Sequence, residues 1–356
     1  MKFVGMDVHK KTITMAAFSQ DGMNIAGKKI PATPEALAGF FDLLDRDEPI
    51  TATMEATGFW YWVAETLEEI DGVTVKLANP RKTRIIAESN MKSDKVDAAV
   101  LANLTRTNFL PESRMLSREA RLTRERLRCR ISIVCTRTSL KNRVSSILHK
   151  RGLTHPFSDL FGIKGRAWLD SLELPEQYRA NMDAYLRLID RADEEIDILG
   201  KWLSRAVKTT RDAQLLTTIP GVGKFIAMLF LAETGDIKYF KSPKKLAAYA
   251  GFAPMLRQSG EKRWLGSLRP DCNKYMRWAA CEAVTKAVRV VPAWKRLYDD
   301  ICSGNAGKRP VARAAVGNKI IKAVWRVLAT GEPFDHLIAG RRRNHKDSPT
   351  LVTGLR

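Results

Sequence analysis

Lys2-Phe3-Val4-Gly5-Met6-Asp7 and Ile50-Thr51-Ala52-Thr53-Met54-Glu55 are two short apolar runs, and each ends in a carboxylate. Runs of this length and composition predict buried β-strands. Two further acids, Asp94 and Asp97, are three residues apart at the start of a helical pattern, so they share one helix face. Acids at the ends of buried elements are costly unless a positive charge holds them together. The pattern therefore predicts a site for a hard divalent cation with oxygen ligands.

Each acid, taken singly, also has a structural interpretation. A carboxylate that follows a strand is often a turn residue, and Asp94 could be the N-cap of its helix. The order of the surrounding elements favours the site. Residues 12–18 and 24–30 predict two more strands of an antiparallel meander, with a turn at Asp21-Gly22.

The remaining elements of the N-terminal part complete a recognisable layout. Pro34 opens a predicted helix through about Leu44, and a second helix from Phe59 to Ile70 precedes a strand from Val73 to Leu77. Three antiparallel strands followed by helix, strand, helix, strand and helix form the ribonuclease H-like arrangement. Its first and fourth strands are neighbours, so we expect Asp7 and Glu55 to meet.

Two separated blocks of sequence carry a resemblance to a known family. The first consists of Gly5-Met6-Asp7-Val8-His9-Lys10, Met54-Glu55-Ala56-Thr57-Gly58 and Lys92-Ser93-Asp94-Lys95-Val96-Asp97-Ala98. These segments resemble the D-E-D-D signature of a group of bacterial insertion-sequence transposases that includes the Piv DNA invertases. The second block resembles the other domain of that family and consists of Thr218-Ile219-Pro220-Gly221-Val222-Gly223, Leu246-Ala247-Ala248-Tyr249-Ala250-Gly251 and Arg257-Gln258-Ser259-Gly260.

The resemblance implies a fold of α/β and all-α parts. Residues 1–110 are expected to form a ribonuclease H-like (RuvC-like) catalytic domain, and residues 211–335 a mostly helical transposase domain that bears the serine. Between them, apolar residues at helical spacing and a long second helix predict a helical coiled-coil arm over residues 111–210. Residues 336–356 are expected to be a basic, polar tail.

The resemblance also implies a chemistry. A DNA transposase or recombinase of this kind would hold one or two Mg²⁺ ions at Asp7, Glu55, Asp94 and Asp97. Phe252 to Arg263 is expected to be a loop, and Ser259 within it falls at the family's serine and would form a covalent phosphoserine link to DNA. The nearby Ser267 lies off that motif and is the second choice for the nucleophile. The relatives use a structured non-coding RNA, the bridge RNA, which implies a guide RNA together with donor and target DNA as partners.

Other residues are expected to contact nucleic-acid backbone. Arginines along the first helix of the arm can neutralise phosphates. The Pro220-Gly221-Val222-Gly223 segment resembles a helix-hairpin-helix turn, although an ordinary tight turn fits equally well. Downstream, Arg269-Pro270-Asp271-Cys272-Asn273 departs from the Ser-Lys-x-Gly-Asn usual in relatives. The full predicted set is Lys10, Arg121, Arg124, Arg128, Gly221, Gly223, Lys224, Arg257, Lys262, Arg263, Asn273 and Arg277.

Composition agrees with a nucleic-acid partner. The 356 residues carry a formal net charge of +21, which points to a polyanion. The sequence shows no secretory segment and no apolar run long enough to span a bilayer, and its odd number of cysteines lacks zinc spacing. We expect a cytoplasmic, nucleoid-associated bacterial protein that forms a homodimer or homotetramer through the arm.

Two other functions fit the same residues. A metal-dependent RuvC-like structure-specific nuclease would use water as the nucleophile, and Ser259 would then be only a loop residue. A non-catalytic RNA-binding protein that keeps the fold would not need the four acids. Ser259→Ala separates the nuclease from a recombinase, because the nuclease would keep cutting DNA and the recombinase would lose its covalent attachment to DNA. Asp7→Ala identifies the non-catalytic RNA-binding protein, because recombination would then be unchanged.

Overall fold

The computed structural model describes residues 1–45, 47–86, 94–259 and 262–335, and of residues 256–259 and 262–265 it describes the backbone alone. The chain divides into two compact units, Met1–Arg118 and Glu119–Arg356. The predicted tail over residues 336–356 lies outside the described residues. No helix within the described ranges is long and apolar enough to cross a membrane.

The first unit is built on one six-stranded sheet with the order β3-β2-β1-β4-β5-β6. The first three strands pair antiparallel, β4 and β5 run parallel to β1, and β6 is antiparallel to β5. The predicted meander and the predicted neighbourhood of the first and fourth strands are thus confirmed. The strands are β1 (Lys2–Val8), β2 (Thr12–Phe18), β3 (Asn24–Pro31), β4 (Ile50–Glu55), β5 (Val73–Ala78) and β6 (Glu112–Ser113).

Four helices accompany this sheet in the part of the first unit that the structure describes. Thr33 caps the first one by accepting a 3.3 Å hydrogen bond from the Ala36 N–H, and Pro34 occupies the first helical turn, where a missing N–H costs nothing. Phe40 and Phe41 of the same helix are buried in the core of the unit. The helices are α1 (Pro34–Asp42), α2 (Trp60–Glu68), α3 (Pro80–Ile86) and α4 (Asp94–Arg106).

Helix α4 lies directly against the central strand β1. A Cβ atom built on Gly5 would lie 1.9 Å from the Ala98 carbonyl oxygen, so only glycine permits this approach. A buried hydrogen bond of 2.8 Å between the hydroxyls of Thr53 and Thr105 also ties β4 to α4. This packing determines where the first turn of α4, with its two acids, lies over the end of the sheet.

The second unit is mostly helical, as predicted, with one two-stranded sheet. Phe252 to Arg263 was expected to be a loop, but Pro254–Ser259 and Lys262–Leu268 pair as an antiparallel hairpin, so that prediction was wrong. The elements are α5 (Arg118–Lys150), α6 (Ile163–Ser171), α7 (Glu176–Thr209), α8 (Arg211–Thr217), α9 (Lys224–Thr234), α10 (Pro243–Tyr249), β7 (Pro254–Ser259), β8 (Lys262–Leu268), α11 (Lys274–Val290), α12 (Pro292–Cys302) and α13 (Arg309–Thr330).

The two long helices, α5 and α7, form an antiparallel hairpin within the chain. Arg126 stacks on Trp202 near one end, and Arg151 stacks on Tyr178 near the other. At the end of this helical hairpin where α5 leads to α6, a core cluster is shared by both long helices. It contains Val144, Ile147 and Leu148 of α5 and Met182, Leu186 and Ile189 of α7. The predicted pairing of helices is present, and these apolar side chains are buried by it. Dimerisation through the arm stays a prediction.

Replacing Gly5 tests the contact between β1 and α4. We expect Gly5→Ala to lower the free energy of unfolding by about 1–3 kcal/mol or more, because the new methyl group meets backbone that cannot move aside. Gly39 of α1 has nothing within 4 Å of its Cβ position, so Gly39→Ala should instead stabilise by about 0.5–1 kcal/mol. Chemical denaturation measures both, and equal stability of the two variants would contradict the close approach.

Candidate active site

The carboxylates of Asp7 and Glu55 lie side by side at the same edge of the sheet. Strands β1 and β4 are parallel neighbours in a register that pairs Met6 with Met54, so the next residue of each strand leaves the sheet at the same point. Both side chains are half-buried. The meeting of these two acids, predicted from the order of elements, is confirmed.

Helix α4 brings the other two acids to this edge. Asp94 and Asp97 occupy its first turn, and Asp94 accepts a 2.9 Å hydrogen bond from the Nζ of Lys29 on β3. Asp97 is exposed and lies close enough to raise the pKa of both strand-end acids. The structure thus brings together all four predicted acids, which we call the acid cluster.

Charge in the acid cluster is only partly compensated. Burial raises the pKa of Asp7, and the nearby Asp94 and Asp97 raise it further, while His9 lowers it. Burial also raises the pKa of Glu55, and the charges of Asp7 and Asp97 add to that increase. Asp94 differs, because the hydrogen bond and charge of Lys29 lower its pKa. The described residues therefore compensate the negative charge of the two strand-end acids only in part.

His9 belongs to this site more closely than the sequence indicated. Its Nε2 lies 3.0 Å from Asp7 Oδ2 and 3.7 Å from Asp94 Oδ1. Ligand atoms of Asp7, His9 and Asp94 all lie within 4.8 Å of one another, as in a site that could hold a metal ion. The position of His9 beside Lys10 in the sequence had predicted a residue at the edge of the site and not a ligand. Its spacing of two residues from Asp7 at the end of a strand, which places both on one face, was the available clue.

The donor set fits a hard divalent cation. Carboxylate oxygens are the ligands that Mg²⁺ and Mn²⁺ take in proteins, and Mn²⁺ also accepts a histidine nitrogen. Asp7, Asp94 and His9 have the required proximity, and the raised pKa values of Asp7 and Glu55 mean that a cation would relieve a cost already present. The geometry is that of a site that could hold a divalent metal ion.

Ser259 is the last residue of β7, and its backbone pairs with that of Lys262 across the turn of the hairpin. The side chains of Ser259, Arg257, Lys262 and Arg263 lie outside the described residues. Their roles at a phosphate therefore stay predictions. The acid cluster belongs to the first unit and the hairpin to the second. The family resemblance implies that the acids and Ser259 act on the same phosphodiester, and this joint action also stays a prediction.

An ion pair with a buried carboxylate, between α5 and α9 of the second unit, was not predicted. Glu233 of α9 is fully buried and accepts hydrogen bonds of 2.8 Å and 3.0 Å from the Nε and Nη2 of Arg128. Asn273 donates to the same carboxylate at 2.7 Å and, through its own oxygen, caps α11 at the Met276 N–H. These bonds give Arg128 and Asn273 a packing role, so we do not include them in the proposed nucleic-acid surface.

The other predicted phosphate contacts have varied placements. Arg121 is only 1% exposed, so we also leave it out of the proposed nucleic-acid surface. Arg124 is half-buried, whereas Lys10 and Lys224 are exposed. The guanidinium of Arg277 donates to the carbonyl oxygen of Arg269, a residue in the segment between β8 and α11.

The two glycines before α9 differ in their surroundings. Gly221 has φ +84°, and a Cβ there would lie 2.1 Å from the Ala283 carbonyl oxygen, so a tight turn packed on α11 accounts for this glycine without a ligand. Gly223 is exposed at the start of α9 with open space around its Cβ position. Of the two, only Gly223 has the room that a phosphate would need.

Two family models match the parts of the chain that carry these features. A model described as a transposase of the DEDD type matches residues 4–151, which include the whole acid cluster. A second, described as the transposase IS116/IS110/IS902 family, matches residues 213–299, which include the hairpin. The chain belongs to this transposase family.

Two relatives align with this transposase along most of its length, and a third aligns with part of it. It is 23% identical over 349 residues to the transposase for insertion sequence element IS1111A of Coxiella burnetii, covering 94% of this chain and 91% of that protein. A probable family 20 transposase of Pseudomonas aeruginosa is 26% identical over 298 residues, covering 79% of this chain and 84% of that protein. The pilin gene-inverting protein of Moraxella bovis is 32% identical over 128 residues, covering 35% of this chain and 39% of that protein.

Metal binding at the acid cluster of this transposase can be measured by thermal unfolding. We expect Mg²⁺ or Mn²⁺ to raise the unfolding temperature by several degrees, since a ligand at one hundred times its Kd contributes about 2.7 kcal/mol. Asp7→Asn should abolish the increase. Asp21→Asn, in the exposed turn between β2 and β3, should keep it. An increase that survives Asp7→Asn would place the metal elsewhere.

Breaking the buried pair should destabilise the second unit. Glu233→Ala removes the carboxylate that holds Arg128 and Asn273, and we expect a loss of about 3 kcal/mol, which is typical when one partner of a buried pair is deleted. Glu282→Ala, on the exposed face of α11, should change stability by less than about 0.5 kcal/mol. Chemical denaturation compares them, and a neutral Glu233→Ala would show that the pair contributes little.

Proposed function

We propose that this insertion-sequence transposase cuts and exchanges DNA strands with a serine nucleophile and a metal site formed by Asp7, Glu55, Asp94 and Asp97. The observation that supports the metal site is the acid cluster itself, in which two half-buried carboxylates stand together at one sheet edge. His9 can complete the ligand set.

The acids would hold one or two divalent cations, with Mg²⁺ the expected ion. Bound there, the metal supplies charge that polarises the scissile phosphate and stabilises the leaving oxygen. Lys29 would keep Asp94 ionised and oriented, because it already lowers the pKa of that carboxyl. Before a metal binds, His9 would restrain Asp7 through its 3.0 Å contact.

Ser259 is the proposed nucleophile. Its Oγ would form a bond to phosphorus while the bond from phosphorus to one deoxyribose oxygen breaks, and the serine proton would end on that oxygen. After strand exchange, the liberated hydroxyl would attack the phosphoserine ester and return the proton to Ser259. Support comes from the match of Arg257-Gln258-Ser259-Gly260 to the family pattern and from the cationic residues around it in sequence.

DNA and a structured guide RNA are the proposed partners. The net charge of +21 supports a polyanionic partner, and the guide RNA rests on resemblance to relatives. With a guide, base pairing would choose the DNA and the protein would read mainly shape and backbone. Because the serine and the acids belong to different units, a homodimer or homotetramer could assemble composite sites from two protomers.

A second candidate is a metal-dependent nuclease that uses water as its nucleophile. The acid cluster favours it equally, since such a site needs no serine. Ser259→Ala separates the two functions. We expect this variant to lose covalent attachment to DNA, detected as a protein–DNA adduct on a denaturing gel, together with recombination.

Ser267 provides the matched control for that experiment. It is an exposed serine on β8 of the same hairpin, so Ser267→Ala should keep attachment and recombination near wild-type levels. Asp7→Asn should abolish cleavage in either function. If Ser259→Ala still cleaves DNA and the wild type forms no protein–DNA adduct, the protein is a nuclease. If Asp7→Asn still recombines DNA fully, the protein has only a binding role.

A further inference from the structure

An apolar pocket of about 330 Å³ opens between α5, α9 and α11 in the second unit. Ile131 and Val134 of α5, Phe225 of α9, and Tyr275 and Trp278 of α11 form its apolar lining. We call it the Trp278 pocket. Its volume lies at the lower end of the roughly 300–1,000 Å³ typical of small-ligand sites.

Aromatic faces in this pocket are available to a ligand. Trp278 is 44% exposed, although indole rings are normally well buried. Phe225 meets it edge to face, with the ring centroids 6.4 Å apart. The two rings are thus held at a defined angle on two different helices, which makes a preformed wall for a flat ligand.

Positive charge borders the same pocket. The guanidinium of Arg130 lies 4.9 Å from the centroid of the Phe225 ring, and its buried Nε has no hydrogen-bond partner among the described residues. Burial and the neighbouring Arg137 lower the pKa of Arg130, and Asp197 offsets this only in part. Lys274 is exposed one helical turn before Trp278, in the first turn of α11, where the helix dipole favours an anion over a cation. An anion at the rim would stabilise the positive charges of both Arg130 and Lys274.

We propose that the Trp278 pocket binds an unpaired nucleotide, with the base stacked on Trp278 and the adjoining phosphate held by Arg130 and Lys274. This inference rests on the proposed function, because it takes a nucleic acid as the partner. A flat apolar ring attached to an anion matches the pairing of aromatic wall and cationic rim. Proteins that bind single strands combine these same two elements.

The charge at the rim favours a nucleotide over the other occupant, a second copy of this chain. The cationic pair Arg130 and Lys274 matches the phosphate of a nucleotide, whereas a second copy has 39 acidic residues against 60 basic ones and so offers fewer groups that could pair with the rim. A base-paired nucleotide is also excluded, since its base faces lie within the duplex stack. The pocket therefore distinguishes single-stranded from double-stranded regions and would not depend on base sequence.

Binding to labelled oligothymidylate and to a duplex of equal length tests the assignment by fluorescence anisotropy of the full chain. We expect Trp278→Ala to weaken single-strand binding about tenfold, a typical stacking contribution for one base, with duplex binding within about twofold. Trp278→Phe should restore most of the affinity. Tyr239→Ala, which removes a ring 57% exposed outside the pocket, should bind like wild type.

A second measurement needs no substitution. Cys135 lines the Trp278 pocket, and Cys129 lies outside its lining on the same helix, with both thiols exposed. Oligothymidylate should slow alkylation of Cys135 several-fold and leave Cys129 unchanged, as measured by mass spectrometry of proteolytic peptides. Equal rates with and without the oligonucleotide would overturn the assignment.

The outcomes separate this inference from the proposed function. Wild-type chain that binds neither oligonucleotide would overturn both. Duplex binding and recombination that persist while Trp278→Ala binds single strands normally would overturn the pocket alone. If Trp278→Ala changes the oligomeric state, measured by light scattering, without changing single-strand affinity, the pocket is a surface between copies and the nucleotide assignment is wrong.

Discussion

The close approach of α4 to β1 is the constraint on which the acid cluster depends. Because Gly5 has no side chain, the Ala98 backbone of α4 can lie against the strand, where a Cβ would be 1.9 Å from its carbonyl oxygen. The same helix begins with Asp94 and Asp97, and the same strand ends with Asp7. One backbone contact thus determines the position of acids that are far apart in the sequence.

That arrangement stabilises the fold at the cost of electrostatic strain. Core packing places Asp7 and Glu55 half-buried and adjacent, where burial and mutual repulsion raise the pKa of each. The second unit meets a similar demand differently, since buried Glu233 has Arg128 and Asn273 as partners. A carboxylate satisfied by the protein has a structural role, whereas a carboxylate left uncompensated beside others is available to a cation.

Net charge alone does not identify residues that bind nucleic acid. Arg126 stacks on Trp202, Arg137 pairs with Asp193, and Arg128 pairs with Glu233, so much of the positive charge on α5 is used in packing the second unit. Such contacts depend on neighbours that approach from other helices. A count of arginines along one helix could not separate Arg128 and Arg137, which pair with carboxylates, from Arg130, whose guanidinium lies over the Phe225 ring at the pocket.

The sequence by itself determined the strand order around Asp7 and Glu55, the helix that carries Asp94 and Asp97, the two long helices and the family. These follow from periodicity, apolar runs and motif spacing, which are local properties of the chain. Only the tertiary structure decided that His9 joins the acids, that Glu233 occupies Arg128 and Asn273, and that Trp278 faces a pocket. It also replaced an expected loop with a hairpin whose first strand ends at Ser259, because strand pairing can override local turn preferences. Burial and partnership arise between segments distant in sequence, so no pattern within one segment could specify them.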